Sequence, residues 1–492
     1  MHRLMNALAL ACILFPLSNI STAAERPNVL FIAVDDLRPE LGCYGASHIQ
    51  SPNIDRLANS GTVFLRAYCQ QAVCSPSRTS LMTGLRPDST KVYDLQTHFR
   101  THVPNVVSLA QHFKSNGYRC LSMGKIYHSG LDDLPSWSEP ALKPSGGSIY
   151  ATEENKQLVA RKLAEGKKKG LKGVTLSRAA RGSVTEIGEV ADEEYTDGAV
   201  AQLAVKTLQE LQAKQQPFFL AVGFLRPHLP FNAPKKYWDM YDPAKIQLAS
   251  NPFPPKNAPA MALTSWGEMR VYGGVPAKGD VTPEQARHLK HGYYACVSFT
   301  DANVGRLLNE LERLKLADNT IVVLWGDHGW KLGEHNAWCK HTNFELDANA
   351  PLIIRAPGQK APGAKSKALV EFVDVFPTLC DLAALPKPDH LEGSSASALL
   401  NQPNLPWKAA AFSQYPRGKL MGYSMKTDRY RFTAWKDTKT GTVEARELYD
   451  HQTDDAENNN LAVVDAHAEL ISQLQTQLDA GWQKAKPPTP EK

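Results

Sequence analysis

The stretch NVLFIAVDD, residues 28–36, runs straight from an apolar segment into two carboxylates, Asp35 and Asp36. An unbroken apolar run has no polar face to offer water, so it reads as a strand covered on both sides, the kind that builds parallel sheets sandwiched by helices. Neighbouring side chains of a strand point to opposite faces. Two consecutive carboxylates therefore converge on one point only where the strand ends and the chain turns. The design returns in IVVLWGDH, residues 321–328, where Asp327 and His328 follow a second apolar run. Open α/β sheets bind their ligands outside the carboxyl ends of their strands. Two such ends with paired donors predict a metal site; three carboxylates suit Ca²⁺ or Mg²⁺, whereas His328 leans towards a transition metal.

Working outward, residues 120–123, 218–224 and 352–354 read as further buried strands. Residues 53–59, 107–115, 199–214 and 283–314 read as helices, the last opened by Thr282 and Pro283. This alternation predicts an α/β fold with a large, mainly parallel sheet flanked by helices. Two stretches, 131–196 and 245–281, are rich in Gly, Pro and polar residues and read as long surface excursions that shape a pocket. Beyond about residue 408, short strands and an amphipathic helix (466–478) take over. The expected division is residues 25–407 as the α/β catalytic region and 408–492 as a smaller C-terminal α+β subdomain.

The 492 residues carry 55 Lys+Arg against 50 Asp+Glu, a net charge of +5 that is too diffuse for nucleic-acid recognition. The one dense basic run, 161–172, reads as a solvated face. Residues 1–24 read as a cleavable export signal: His2 and Arg3 precede a short apolar run, and Thr22, Ala23 and Ala24 supply small residues for cleavage. No other segment approaches the apolar length that spans a bilayer. The Asn-x-Ser/Thr acceptor Asn19 lies inside the signal and has no counterpart downstream, so a periplasmic or secreted bacterial protein is expected. Cleavage takes Cys12 from the eight cysteines and leaves an odd, widely spaced set, which excludes a disulfide scaffold and, without a CxxC pair, a zinc knuckle.

One cysteine is left over for chemistry. Cys74 opens CSPSRTSLMTG, residues 74–84, in which Pro76 suits a first helical turn. That puts Cys74 at the positive mouth of a helix and Arg78 one turn along the same side. A thiolate phosphatase loop needs five residues between its Cys and Arg, and this chain has three. The pattern Cys74-x-Pro76-Ser77-Arg78 with Met82-Thr83-Gly84 resembles the signature of the type I sulfatases, whose cysteine is converted to Cα-formylglycine. Asp35-Asp36-Leu37-Arg38-Pro39, Gly124-Lys125-Ile126-Tyr127-His128, Arg226-Pro227-His228-Leu229-Pro230-Phe231 and Asp327-His328-Gly329-Trp330 are similar to the iduronate-2-sulfatase branch of that family. So is Ser413-Gln414-Tyr415-Pro416-Arg417 in the tail, and the resemblance runs over about residues 26–465.

The resemblance implies an alkaline-phosphatase-like fold and Ca²⁺ held by Asp35, Asp36, Asp327, His328 and an oxygen on the modified Cys74. Most of the family has Asn in place of His328; the iduronate branch has His. It implies further that the aldehyde hydrates, that one hydroxyl of the diol attacks sulfur, and that the second expels sulfate. Arg78 and Lys125 would hold the diol, His128 would assist elimination, and His228 and Lys340 would bind the ester oxygen and protonate the leaving group. Trp330 and Arg38 are candidates for contacts with the sugar ring or its carboxylate. The implied partners are a sulfated oligosaccharide, with a terminal 2-O-sulfated uronate first, and a formylglycine-generating maturation enzyme. Ulvan or fucan fragments offer similar esters. Phosphate and phosphonate ester hydrolases share the superfamily, and a sulfated-glycan-binding pseudoenzyme is the non-enzymatic alternative.

Overall fold

All seven residues of the 28–34 run are buried and form strand β1 (Asn28–Val34). The computed structural model describes residues 26–214 and 216–488; the expected export signal lies outside them. In chain order the remaining strands are β2 (Thr62–Tyr68), β3 (Arg119–Gly124), β4 (Thr185–Gly188), β5 (Phe218–Phe224), β6 (Phe231–Pro234), β7 (Thr320–Gly326), β8 (Leu352–Arg355), β9 (Ala364–Glu371), β10 (Ala411–Arg417), β11 (Leu420–Lys426), β12 (Tyr430–Asp437) and β13 (Val443–Asp450). Seven of them make one sheet in the order β3-β5-β1-β7-β8-β2-β9. Every pairing in it is parallel except those of β8, which runs antiparallel to both β7 and β2. The mainly parallel expectation therefore holds with one reversed strand.

Strand β1 is central and its side chains alternate between two cores. Leu30, Ile32 and Val34 join the cluster that contains the long helix Pro283–Arg313. Val29, Phe31 and Ala33 join the cluster on the other face, with Leu81, Met82 and Phe376. Both faces are covered, which is why the sequence shows a continuous apolar run and no alternation. Val34 pairs with Phe224 of β5 and Gly326 of β7, so the residues that follow these strands emerge along one edge.

The helix Pro283–Arg313 starts at a capping box in which Thr282 and Gln285 bond reciprocally. A third of the way along it, the Tyr293 hydroxyl donates to the Asp36 carbonyl at 2.8 Å and accepts from the Arg38 amide at 3.0 Å. This fixes the turn after β1, where Asp36 takes a positive φ of 58°. A left-handed conformation at a non-glycine residue persists only where the surroundings over-determine it.

The two long excursions are not merely superficial. Trp137, Tyr150 and Tyr195 from the first, and Trp266, Met269 and Tyr272 from the second, are buried in the main cores or against them. The first also carries a helix, Glu153–Lys168, whose exposed side displays the basic run. The tail forms a four-stranded antiparallel sheet, β10-β11-β12-β13, with the helix Ala468–Ala480 packed on it. The seven cysteines from Cys43 to Cys380 are all buried and unpaired. Among the described residues no helix is long and apolar enough to cross a membrane.

Candidate active site

Residue 74 begins the helix Cys74–Thr83, every residue of which is buried. Its first turn points at the carboxyl edge where Asp35, Asp36, Asp327 and His328 emerge. The Cys74 Sγ lies 3.4 Å from His328 Nε2, and that nitrogen is 3.4 Å from Asp36 Oδ1 and 3.5 Å from Asp327 Oδ1. One ligand atom from each of Asp35, Asp36, Cys74 and His328 falls within 4.8 Å of the others.

Each carboxylate has a cationic partner. Arg78, fully buried, donates from Nε to Asp327 Oδ2 at 2.8 Å and from Nη2 to Asp35 Oδ1 at 3.2 Å. Its remaining donor reaches the carbonyls of Lys125 and Ile126, and the guanidinium lies 5.6 Å over the Trp325 ring. Lys125 Nζ donates to Asp35 Oδ2. It sits there because Gly124 takes a φ of 68° and packs on Gly223; a side chain at either glycine would collide with the other segment's backbone. Lys340 Nζ bonds both Asp36 oxygens at 2.9 and 3.0 Å.

The two adjacent aspartates differ in electrostatics. Burial raises Asp35, but Lys125, His228 and Arg78 outweigh it and hold its carboxyl well below the usual range. At Asp36 burial wins over Lys340 and His228, and the carboxyl is pushed up. Burial and the neighbouring Asp35 also push the Cys74 thiol well up, so the helix mouth does not make a thiolate of it. An unmodified cysteine here is a poor nucleophile.

The donors are arranged as a site that could hold a metal ion. His328 places Nδ1 3.0 Å from the Gly329 carbonyl, which takes the proton on that nitrogen and leaves the Nε2 lone pair facing the carboxylates. A lone pair 3.4–3.5 Å from two carboxylate oxygens is an arrangement a cation between them would stabilise.

The other expected residues gather around this centre. His228 Nε2 is 3.9 Å from Asp36 Oδ2, and its Nδ1 faces the Leu229 carbonyl at 2.7 Å. Burial, with Lys125 adding to it, lowers His128 to about 4, and its Nδ1 is buried without a hydrogen-bond partner. It is therefore neutral near pH 7, the form a base requires. His341 is lowered to about 3 by burial. His335 lies away from the centre, bonded to the Ala456 carbonyl.

Trp330 and Arg38 are not placed as sugar contacts. Trp330 is 0% exposed, edge-on to Phe231, with Lys340 Nζ 4.9 Å over its ring. It is part of the floor beneath Lys340. Arg38 is paired with Glu40 at 3.1 Å and Glu334 at 3.0 Å and donates to the Trp330 carbonyl, so its guanidinium is already engaged. Sequence reasoning missed Glu268, which comes from the 245–281 stretch and reaches His228 and Lys340.

The covered, mainly parallel sheet has the alkaline-phosphatase-like fold, and it gathers paired acids, a helix-mouth cysteine and a buried arginine at one strand edge. The phosphonate monoester hydrolase of Agrobacterium radiobacter shares this fold with a TM-score of 0.74, at 24% identity over 92% of this chain and 95% of that one. The chain belongs to the sulfatase family, whose Sulfatase domain matches residues 27–385 and whose N-sulphoglucosamine sulphohydrolase C-terminal domain matches residues 333–484. It is similar to iduronate 2-sulfatase of Mus musculus, at 34% identity over 92% of this chain and 94% of that protein. Against iduronate 2-sulfatase of Homo sapiens the identity is 35%, over 90% and 92% respectively. It is accordingly a sulfuric ester hydrolase.

Proposed function

We propose that the protein is an exported sulfatase of sulfated carbohydrates, acting on a 2-O-sulfate of a terminal uronate through a formylglycine made from Cys74. The observation that carries this reading is the seating of Cys74 Sγ 3.4 Å from His328 Nε2, at the mouth of its helix and amid three carboxylates. The likeness to the two iduronate 2-sulfatases along nine-tenths of the chain supports the substrate.

Asp35, Asp36, Asp327 and His328, with residue 74, would hold a divalent cation, Ca²⁺ by the oxygen-rich donor set. Bound there, it supplies positive charge to the sulfate oxygens and favours an ionised hydroxyl at residue 74. Formylglycine supplies, on hydration, two hydroxyls on one carbon where cysteine offers a single sulfur. The chain's own groups do the rest. Arg78, locked by two carboxylates and two carbonyls, and Lys125 orient those hydroxyls and add positive charge beside them. Neutral His128 accepts the proton of the second hydroxyl as sulfate departs. His228 and Lys340 face the leaving alcohol and supply its proton.

Peptide mass spectrometry across residue 74 of active protein tests the modification: an aldehyde is expected, and active material holding only thiol would sink the proposal. Assay on a 2-O-sulfated terminal uronate against p-nitrophenyl phosphate tests the substrate, and a preference for the phosphate would favour the phosphohydrolase alternative. Chelation is expected to remove activity and lower the melting temperature, because a ligand that binds only the folded state stabilises it by mass action. Ca²⁺ should restore both. A melting curve indifferent to chelator and to added Ca²⁺ would count against the metal.

A further inference from the structure

Glu268 meets two of the proposed active-site residues with a single carboxylate. Its Oε1 is 2.9 Å from His228 Nε2, its Oε2 is 2.9 Å from Lys340 Nζ, and His341 Nε2 stands 3.6 Å from Oε2. The residue is not a casual reach from a loose loop. Trp266 and Met269 on either side are buried at 3% and 0% exposure. Arg270 covers the Trp266 ring and ties the segment together through the carbonyls of Ser265, Pro276 and Gly279 at 2.9–3.0 Å. Tyr272 then donates to the Leu229 carbonyl at 3.3 Å, which fastens the same segment to the backbone beside His228. The carboxylate is therefore a built part of the pocket wall.

Two donors that converge on the oxygens of one carboxylate are also placed to converge on one ester oxygen. Apart from Glu268, His228 is hydrogen-bonded through Nδ1 to the Leu229 carbonyl, and Lys340 is hydrogen-bonded to Asp36. Without Glu268 the ammonium would keep only Asp36 as a carboxylate partner, and the imidazole Nε2 would lose its 2.9 Å partner. We propose that Glu268 is a positioning residue for leaving-group protonation: it holds His228 and Lys340 side by side so that the departing alcohol oxygen receives a proton as its bond to sulfur breaks. Overall, water adds across the S–O bond; its hydroxyl ends on sulfur and its proton on the alcohol, and Glu268 governs delivery of that proton. The proposal rests on the roles given above to His228 and Lys340.

Its signature lies in the leaving group. A phenol such as p-nitrophenol departs with little help, whereas a sugar alcohol departs only when protonated, so loss of the positioning carboxylate should discriminate between them. The experiment compares native protein, Glu268→Gln and Glu268→Asp on p-nitrophenyl sulfate and on a 2-O-sulfated uronate disaccharide, with melting temperatures as the folding control. For Glu268→Gln, kcat on the sugar sulfate is expected to fall about 30-fold or more beyond its fall on the aryl ester, with KM little changed. Glu268→Asp should recover part of the difference. An equal loss on both esters, or no loss, would overturn the proposal, because a merely structural role moves both substrates together. Native protein that turns over neither ester would sink the site reading and this proposal with it.

Discussion

Cys74→Ala is expected to reduce turnover of any sulfate ester by about 10⁴-fold or more, since it removes the atom on which covalent catalysis depends. The fold should survive. Cys74 is 2% exposed at the start of a helix, alanine is a good helix former, and the lost sulfur costs about 1 kcal/mol. Cys74→Ser, produced without a maturation enzyme, separates the formylglycine mechanism from a simple nucleophile. A serine hydroxyl placed among Arg78, Lys125 and the carboxylates can attack sulfur, but it has no second hydroxyl with which to expel sulfate. The serine variant is therefore expected to release no more than one equivalent of alcohol per chain and stop. Multiple turnovers by either variant, measured by alcohol release against protein concentration, would refute the mechanism.

The second large effect belongs to Arg78→Ala. Its guanidinium pairs Asp35 and Asp327, both 0% exposed, and bonds two carbonyls while lying over Trp325. Lys125 still pairs Asp35, but Asp327 loses its cationic partner, and an uncompensated buried charge costs about 3–5 kcal/mol. A loss of unfolding free energy of that size, read as a lower denaturation midpoint, is expected together with loss of activity. Arg78→Lys keeps the charge but cannot span both acids and the carbonyls as the planar fork does, so it should recover part of the stability and little of the activity. An unchanged midpoint for Arg78→Ala, read by urea denaturation, would show that the carboxylates do not depend on this residue.

Much of this arrangement was legible in the sequence because it depends on strand ends. β1, β5 and β7 are almost wholly apolar; β1 and β7 are followed at once by the acids of the site, and β5 by His228 four residues on. β2 and β9 escaped notice for the opposite reason. TVFLRAY carries Arg66 in its middle, and AKSKALVE interleaves lysines with small residues, as suits β9 at the sheet's margin with one side open. The excursions lie mostly at the surface, as expected, but their buried anchors such as Trp137 and Trp266 leave no periodic trace in the sequence. Glu268 was hidden in the same way: only the folded path of a Pro- and Gly-rich segment brings it to His228. Trp330 and Arg38 show the converse error. Adjacency to a motif says nothing about which way a side chain faces, and both turn inward.

The burial of the helix Cys74–Thr83 also bears on when the protein is made ready. All ten of its residues are shut inside the finished molecule. A second enzyme that must grip the segment around Cys74 has nothing to hold once the central sheet has closed over it. If the thiol becomes an aldehyde, the conversion belongs to the newly made chain, before it folds. Chains that fold first would be sealed with an inert thiol, equally well packed and permanently silent.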